Sequence, residues 1–173
     1  ATYKDGKEDG LWTTWYENGQ KREEATYKDG ELNGLLKKFH EDGRTNEERE
    51  YHGNIEIYKY SYDYYEDGKI KSKATYKNDK KNGLEISWYE NGQKRQEGNF
   101  INGKENGLFT RWYRNGQKRE EGNFINGREN GLYTSWYKNG QKREEATFKD
   151  EIEDGISTEW YENGQKKSEE NFK

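Results

Sequence analysis

Apolar and polar residues alternate along this chain in short runs that are separated by glycine-containing turns. The run LWTTWY (11–16) is followed by the turn ENGQ (17–20) and then by KREEATYK (21–28), and variants of this pattern recur through the sequence. Period-two alternation in short runs bounded by Asn-Gly or Asp-Gly is typical of β-strands joined in hairpins. The pattern therefore predicts an all-β protein.

Pairs of aromatic residues set the period of the repeat. Successive pairs lie 24 or 25 residues apart, which is within the range of solenoids and repeat arrays. The pairs are Trp15-Tyr16, Phe39-His40 (where histidine takes the second place), Tyr64-Tyr65, Trp88-Tyr89, Trp112-Tyr113, Trp136-Tyr137 and Trp160-Tyr161. We therefore expect a single repeat domain over residues 1–173, an elongated, solenoid-like array of stacked antiparallel β-hairpins with about seven 24-residue repeats.

Each repeat contains two turn signals. The first is an Asn-Gly or Asp-Gly pair that follows the aromatic pair, at 18–19, 42–43, 67–68, 91–92, 115–116, 139–140 and 163–164. Such a pair predicts a two-residue type I′ turn, in which both central residues have positive φ. This gives a structural role to the glycines of the regular repeats, Gly19, Gly92, Gly116, Gly140 and Gly164. The second signal is a glycine-rich stretch such as INGKENG (101–107).

The first turn fixes which residues face each other. With Asn18-Gly19 at its centre, Trp12 faces Ala25, and Gly10 faces Tyr27, so that an aromatic ring covers the backbone of a strand glycine.

Two columns of the repeat are apolar in nearly every copy, and we expect them to form the core. The first column is Leu11, Leu35, Tyr60, Leu84, Leu108, Leu132 and Ile156. The second is aromatic and includes the structural tryptophans Trp15, Trp88, Trp112, Trp136 and Trp160. The column of Trp12 varies in character and is expected to lie outside the core.

The column that follows the tryptophans has two interpretations. It is aromatic except for His40, and a stack of tyrosines forms either a seam between repeats or an exposed ladder that binds a partner. The candidate binding residues of this column are Tyr65, Tyr89, Tyr113, Tyr137 and Tyr161.

The third repeat departs from the pattern. Its sequence HGNIEIYKYSYDYYEDGK (52–69) has one extra residue and lacks the strand glycine, which predicts a β-bulge. Tyr58, Tyr60 and Tyr62 either restabilise this irregular copy or form a partner-binding site, because tyrosine offers a large contact area at a low entropic cost.

Composition narrows the class of protein. Hydrophobic residues make up 27% and charged residues 38%, a balance that would indicate disorder if 16% of the residues were not aromatic. The formal net charge of -4 argues against nucleic-acid binding, and no apolar run is long enough for membrane insertion. The recurring Lys-Arg pairs are each followed by an acidic or polar residue and are expected to form cross-strand ion pairs.

No constellation for catalysis is present in the sequence. His40 and His52 are the only histidines, there is no cysteine, and adjacent carboxylates such as Glu23 and Glu24 point to opposite faces of a strand. The glycine-rich loops do not supply enough carboxylates for a calcium site. We therefore expect no catalytic residue, no metal and no cofactor, and hence no enzymatic activity.

Units such as GLYTSWYKNGQKREE (131–145) resemble the MORN-repeat variant of many bacterial proteins, including antitoxins of the YwqK type. The resemblance implies stacked β-hairpins, no catalysis and a protein partner. Our leading hypothesis is a non-enzymatic module that binds a protein, such as an antitoxin or immunity protein that acts in the cytoplasm. The acidic balance of the chain would suit a basic toxin.

Two alternatives remain open. The chain begins at the phase of Ala25 and stops at the phase of Lys149, without a divergent cap at either end, so its terminal strands could pair end to end in a filament or cell-surface structure. The aromatic face could instead bind a surface receptor or a glycan, in a protein exported after removal of a signal peptide. The sequence does not decide between these compartments.

Overall fold

A computed structural model describes residues 2–173 of the chain, which divides into two compact units, Ala1–Lys80 and Lys81–Lys173. Every regular element of the described residues is a β-strand. In each unit the strands form antiparallel hairpins, and each hairpin pairs with the next one in chain order. The expected fold class, an all-β array of stacked antiparallel hairpins, is confirmed.

The first unit contains eight strands. They are β1 (Tyr3–Lys4), β2 (Lys7–Glu8), β3 (Gly10–Trp15), β4 (Lys21–Lys28), β5 (Glu31–Phe39), β6 (Thr45–His52), β7 (Ile55–Tyr64) and β8 (Ile70–Lys77). The short strands β1 and β2 pair with each other, whereas β3 to β8 form a ladder in which each strand pairs with its sequence neighbours.

The remaining nine strands follow the same plan. They are β9 (Lys80–Trp88), β10 (Lys94–Ile101), β11 (Lys104–Trp112), β12 (Lys118–Ile125), β13 (Arg128–Trp136), β14 (Lys142–Lys149), β15 (Ile152–Glu153), β16 (Gly155–Trp160) and β17 (Lys166–Phe172). Strand β14 pairs with both β15 and β16, because the strand that would follow it is interrupted at Asp154.

The turn after the aromatic pair differs from the predicted type I′ turn. The carbonyl of Tyr16 accepts from the Gly19 N–H at 3.0 Å, and the Tyr16 N–H donates to the carbonyl of Gln20 at 2.8 Å. Only Gly19 has positive φ, because Asn18 accepts the Gln20 N–H on its Oδ1 at 3.0 Å in an Asx turn. The loop is therefore a three-residue loop with a glycine bulge. It pairs Trp15 with Lys21, so the two-residue prediction is wrong here.

Two-residue turns with positive φ at both positions occur instead at the second turn of the repeat. Asp29 and Gly30 have φ of 53° and 86°, and the residues that flank them, Lys28 and Glu31, face each other in the ladder. These are the backbone angles of the type I′ turn that matches the twist of a hairpin.

The predicted register of the strands is confirmed beyond this turn. Gly10 faces Tyr27 and Trp12 faces Ala25. The strand glycine of each regular repeat has positive φ, which places glycine at a backbone position that other residues rarely adopt.

The third repeat has a shifted register. In the regular pairings Ala25 faces Leu36 and Gly98 faces Phe109. On β6 the equivalent residue, Arg49, faces Lys59, two positions before the expected Ser61. A bulge of one residue lies between the pairs Glu50–Tyr58 and Tyr51–Glu56, so the predicted bulge is present. The regular repeats have a larger bulge at this place. What distinguishes the third repeat is that β7 is displaced by two residues relative to β6, and we call this displacement the two-residue slip.

Each hairpin has two faces, which we name by their residues in the first repeat. The leucine face carries Leu11, Thr13 and Trp15, and the alanine face carries Trp12 and Ala25. Among the residues that the structure describes, the five buried hydrophobic ones all lie on the alanine face of their strands: Ala25, Leu36, Ala74, Phe109 and Ala146.

The prediction that the leucine column forms the core is wrong, and the tryptophan column is only partly buried. The leucines and Ile156 are 40% to 58% exposed. Trp15 is 60% exposed, whereas the tryptophans of the later repeats, Trp88, Trp112, Trp136 and Trp160, are half-buried. The core lies along the variable column because large and small residues alternate across it. Phe109 packs between Gly98 and Gly122, while Tyr133 faces Gly122 and Ala146. The side chains of one column can therefore differ in size from repeat to repeat and remain buried, provided that the facing residues on the neighbouring strands differ in a complementary way.

Replacing Gly98 with alanine should destabilise the second unit. A Cβ atom at Gly98 would lie 2.1 Å from Cδ2 of Phe109, a buried ring that packs edge-on against Phe100 and Phe124. Overpacking of this kind lowers the free energy of unfolding by about 1–3 kcal/mol.

Gly122→Ala is the matched control for this change. Its Cβ atom would lie 3.2 Å from Tyr133, so a smaller loss is expected. Urea denaturation of both variants measures the difference, and a Gly98→Ala protein as stable as Gly122→Ala would contradict this packing.

Candidate functional site

The tyrosine column joins four of the repeats to the repeat that follows. In four copies the phenol donates to a backbone carbonyl 23 residues further along the chain. The bonds run from Tyr16 to Phe39 (2.7 Å), from Tyr89 to Trp112 (2.8 Å), from Tyr113 to Trp136 (2.8 Å) and from Tyr137 to Trp160 (2.9 Å). The adjacent asparagine makes a parallel bond, such as that from Asn115 Nδ2 to the carbonyl of Lys138 at 3.0 Å.

These bonds give three candidate binding residues, Tyr89, Tyr113 and Tyr137, a role within the sheet; their role toward a partner stays a prediction. Tyr161 differs from them. It is 51% exposed, and its hydroxyl makes no hydrogen bond to any residue in the range 2–173.

On the leucine face, lysines lie over the tryptophan rings of the following repeat. Lys94 Nζ lies 5.6 Å from the centroid of the Trp112 ring and forms an ion pair with Glu97 of its own strand. The same arrangement recurs at Lys118 and Lys142. The lysine of each Lys-Arg pair thus bonds along its strand, which corrects the expected cross-strand pairing.

The third repeat replaces this arrangement with four tyrosines on one face of β7. We call Tyr58, Tyr60, Tyr62 and Tyr64 the tyrosine strip; all four are half-buried and lie on the leucine face. Sequence reasoning missed Tyr64, although its period-two spacing from Tyr58 carried the signal. The Tyr64 hydroxyl donates to the carbonyl of Thr45 at 2.7 Å.

Cations from β8 and from the turn before β6 lie over the rings of the tyrosine strip. Lys73 Nζ lies 5.1 Å from the ring centroids of both Tyr60 and Tyr62. Lys77 lies 5.8 Å from the ring of Tyr58, and Arg44 lies 5.0 Å from that of Tyr64.

Lys73 reverses the charge of its column. It occupies the position that is glutamate in every other repeat, for example Glu24 and Glu97. No ion pair involves Lys73 or Lys77 within the described part of the chain. These cations are therefore compensated by aromatic rings in place of carboxylates.

Carboxylates line the opposite edge of the tyrosine strip. Tyr58 faces Glu50 and Tyr60 faces Glu48, as a result of the two-residue slip between β6 and β7. The Tyr62 hydroxyl donates to Glu48 at 3.1 Å, and Lys37 pairs with the same carboxylate at 3.0 Å. Burial, followed by the charge of Glu48 and its hydrogen bond, raises the pKa of Tyr62 to about 12.

A concavity of about 390 Å³ adjoins the tyrosine strip at Tyr62 and Tyr64. His40 lines it and packs edge-on against Tyr64, with the ring centroids 6.3 Å apart. Arg44 donates to the carbonyl of Tyr65 at 3.4 Å, and Lys71 lies 5.9 Å from the Tyr65 ring. His40 thus stands where the regular repeats have the tyrosine that bonds to the next repeat.

Among residues 2–173, no group of three or more histidine, aspartate or glutamate side chains is arranged to hold a metal ion. The same residues contain no helix that could span a bilayer.

Comparison with known families identifies the repeat. The family model described as MORN repeat variant matches residues 8–29, 60–78, 81–102, 105–126, 129–150 and 153–173, which together cover more than half of the chain. The search of curated proteins finds no match to the chain. The unmatched stretch 30–59 nevertheless forms the hairpin of β5 and β6, in which Gly34 faces Tyr51 as in the regular repeats.

Replacing Tyr113 with phenylalanine should weaken the contact between two repeats. The change removes only the hydroxyl that donates to Trp136, so the free energy of unfolding should fall by about 0.5–1.5 kcal/mol. Tyr161→Phe is the control and should leave it unchanged. Chemical denaturation compares the two; equal effects would rule out a seam role for the Tyr113 hydroxyl.

The high pKa of Tyr62 predicts a dependence of stability on alkaline pH. Since the folded pKa is about 12 and the usual value is about 10, folding favours the neutral phenol. This contribution is present below pH 10 and is lost as the pH rises through about 12. NMR titration of ¹³Cζ-labelled tyrosine should show Tyr62 ionising late and Glu48→Gln lowering its pKa. A Tyr62 that ionises near pH 10 in the folded protein would contradict the assignment.

Proposed function

Since the chain belongs to the MORN repeat variant family, whose members are typically non-catalytic repeat modules, we propose that it is a non-enzymatic interaction module that binds a protein partner. The tyrosine strip of β7 is the proposed binding site, and the regular repeats act as its scaffold. Fold alone does not define a function, so the proposal rests on this site.

The observation that carries the proposal is the replacement of the regular Lys-Glu surface by the tyrosine strip in one repeat. The strip combines four half-buried rings with a basic edge at Lys73 and an acidic edge at Glu50. Aromatic anchors surrounded by charged residues are typical of protein interfaces, where tyrosine frequently carries much of the binding energy.

Two hydroxyls of the strip are available to a partner. Tyr62 and Tyr64 use their hydroxyls within the chain, whereas those of Tyr58 and Tyr60 make no hydrogen bond to residues 2–173. A partner could therefore bond to Tyr58 and Tyr60 without breaking a contact of the sheet. Their rings are already held by Lys77 and Lys73, which reduces the entropy that binding would cost.

An antitoxin or immunity role is the specific form of this proposal, and it is supported by the resemblance of the repeats to YwqK-type antitoxins. The net charge of -4 favours association with a basic toxin. The family itself is compatible with other protein partners, so this role is tested separately from the binding site.

The double variant Tyr58→Ser, Tyr60→Ser should lose the partner. Coexpression with the product of the adjacent gene, followed by affinity purification, measures binding, and rescue of toxicity measures the antitoxin role. Loss of two interface tyrosines should weaken binding by roughly 30-fold or more. Circular dichroism should show a retained β-sheet.

Tyr161→Ser provides the matched control, because it removes an exposed tyrosine outside the strip. It should bind like the unchanged protein. Equal binding by the double variant and the control would exclude the strip as the site, whereas binding without rescue of toxicity would exclude only the antitoxin role.

A further inference from the structure

The alanine face of the second unit contains a gap in a row of charged residues. The row crosses the sheet in register from Arg111 to Glu120, Ser135, Glu144 and Glu159. Arg111 forms an ion pair with Glu120 at 2.8 Å. Ser135 occupies the same column one repeat later, and its short side chain leaves Glu144 without an equivalent cation.

A pocket of about 320 Å³ lies at this gap. Tyr113, Tyr133 and Ser135 are among the residues that line it. Ser135 is 4% exposed, and its Oγ atom, like that of Ser87, has no hydrogen bond of standard geometry. Its hydroxyl nevertheless lies close enough to Tyr133 and Glu144 to lower the pKa of both groups. A hydroxyl that lacks a well-aligned partner keeps the capacity for one more hydrogen bond, so Ser135 can contribute to binding a polar group in this pocket.

The charges around the pocket favour a cation. Glu120 is neutralised by Arg111 and also by Arg119, which lines the pocket and contacts Glu120 at 3.0 Å. Glu144 has no ion pair within the described chain. Burial and then the nearby Glu159 raise the pKa of Glu144, and Arg143 at the rim offsets only part of this effect.

The charged groups near Tyr133 are consistent with a pocket that binds a cation. Its pKa is raised by burial and then by three carboxylates, Glu120, Glu144 and Glu129. Three carboxylates therefore act on the Tyr133 side of the pocket, which two arginines also line.

We propose that this pocket binds the guanidinium group of an arginine side chain presented by a protein partner. The guanidinium would pair with Glu144, donate to Ser135 Oγ and stack on Tyr133. Arg111 shows the same chemistry one repeat earlier, where its guanidinium lies 4.9 Å from the centroid of the Phe109 ring and pairs with Glu120. Arginine suits the site better than lysine because its planar group both stacks and forms several hydrogen bonds.

The inference rests on the proposed function in that the arginine comes from a protein, but it concerns a site separate from the tyrosine strip. The pocket itself can be tested without the partner. The probe is N-acetyl-L-arginine amide, which is titrated into the ¹⁵N-labelled full chain and followed by the backbone amide signals of Ser135 and Glu144. The neutral isostere N-acetyl-L-citrulline amide is titrated in parallel.

We expect saturable shifts with the arginine probe, at a Kd in the millimolar range, and none with the citrulline probe. Glu144→Gln should weaken binding at least tenfold while preserving the fold. Ser135→Arg should fill the pocket and abolish binding. Ser87→Arg, in the same column two repeats earlier and opposite Gln96, is the matched control and should bind like the unchanged chain.

Three outcomes would overturn the proposal: no saturable shifts with the arginine probe, equal binding of the citrulline probe, or unchanged binding by Glu144→Gln. Saturable binding of N-acetyl-L-glutamate amide in preference to the arginine probe would also overturn it, by making Arg119 and Arg143 the determinants of an anion site. None of these outcomes bears on partner binding by Tyr58 and Tyr60, so the two proposals can fail independently.

Discussion

Each regular repeat of this protein reaches the next through a tyrosine hydroxyl that donates to a backbone carbonyl 23 residues further on. The bond matters because the sheet has a small apolar interior, with only five buried hydrophobic residues among those described, and Phe109 is the largest of them. Burial of apolar area is usually the dominant stabilising contribution. In this chain the strand ladder, the tyrosine and asparagine bonds and the stacked Lys-Trp contacts add connections that a thin core does not supply.

Because the repeats are joined by these tyrosine bonds, the loss of one of them is accompanied by several irregularities in the third repeat. His40 is too short to replace the bonding tyrosine, and the next strand, β7, slips by two residues. Tyr64 then bonds to Thr45 and packs against His40, while Lys73 covers two rings. The tyrosine strip is thus both a local repair of the sheet and the most distinctive surface of the first unit. The sequence analysis posed these as alternatives, and the contacts are compatible with both.

The sequence predicted the strands, their antiparallel pairing and the facing of Gly10 and Tyr27, because these follow from period-two alternation and turn residues. It misplaced the core because a constant column indicates equivalent surroundings in each repeat and does not indicate burial. It assigned the type I′ turn to Asn18-Gly19 because φ preference was weighed without the side-chain bond of Asn18. The Ser135 pocket depends on which strands face each other across repeats and on a missing side chain, and neither has a signature within a single repeat.

The two-residue slip between β6 and β7 also bears on how a repetitive surface can be recognised. A ligand that reads one regular repeat can bind at several near-equivalent positions, since the Lys-Glu and tryptophan contacts recur with the same geometry. Such a surface can bind a multivalent ligand tightly, but it does not define a unique binding position. The slip makes one repeat different from the others, so a ligand that recognises it binds at a single position along the array. Identical repeats cannot specify such a position.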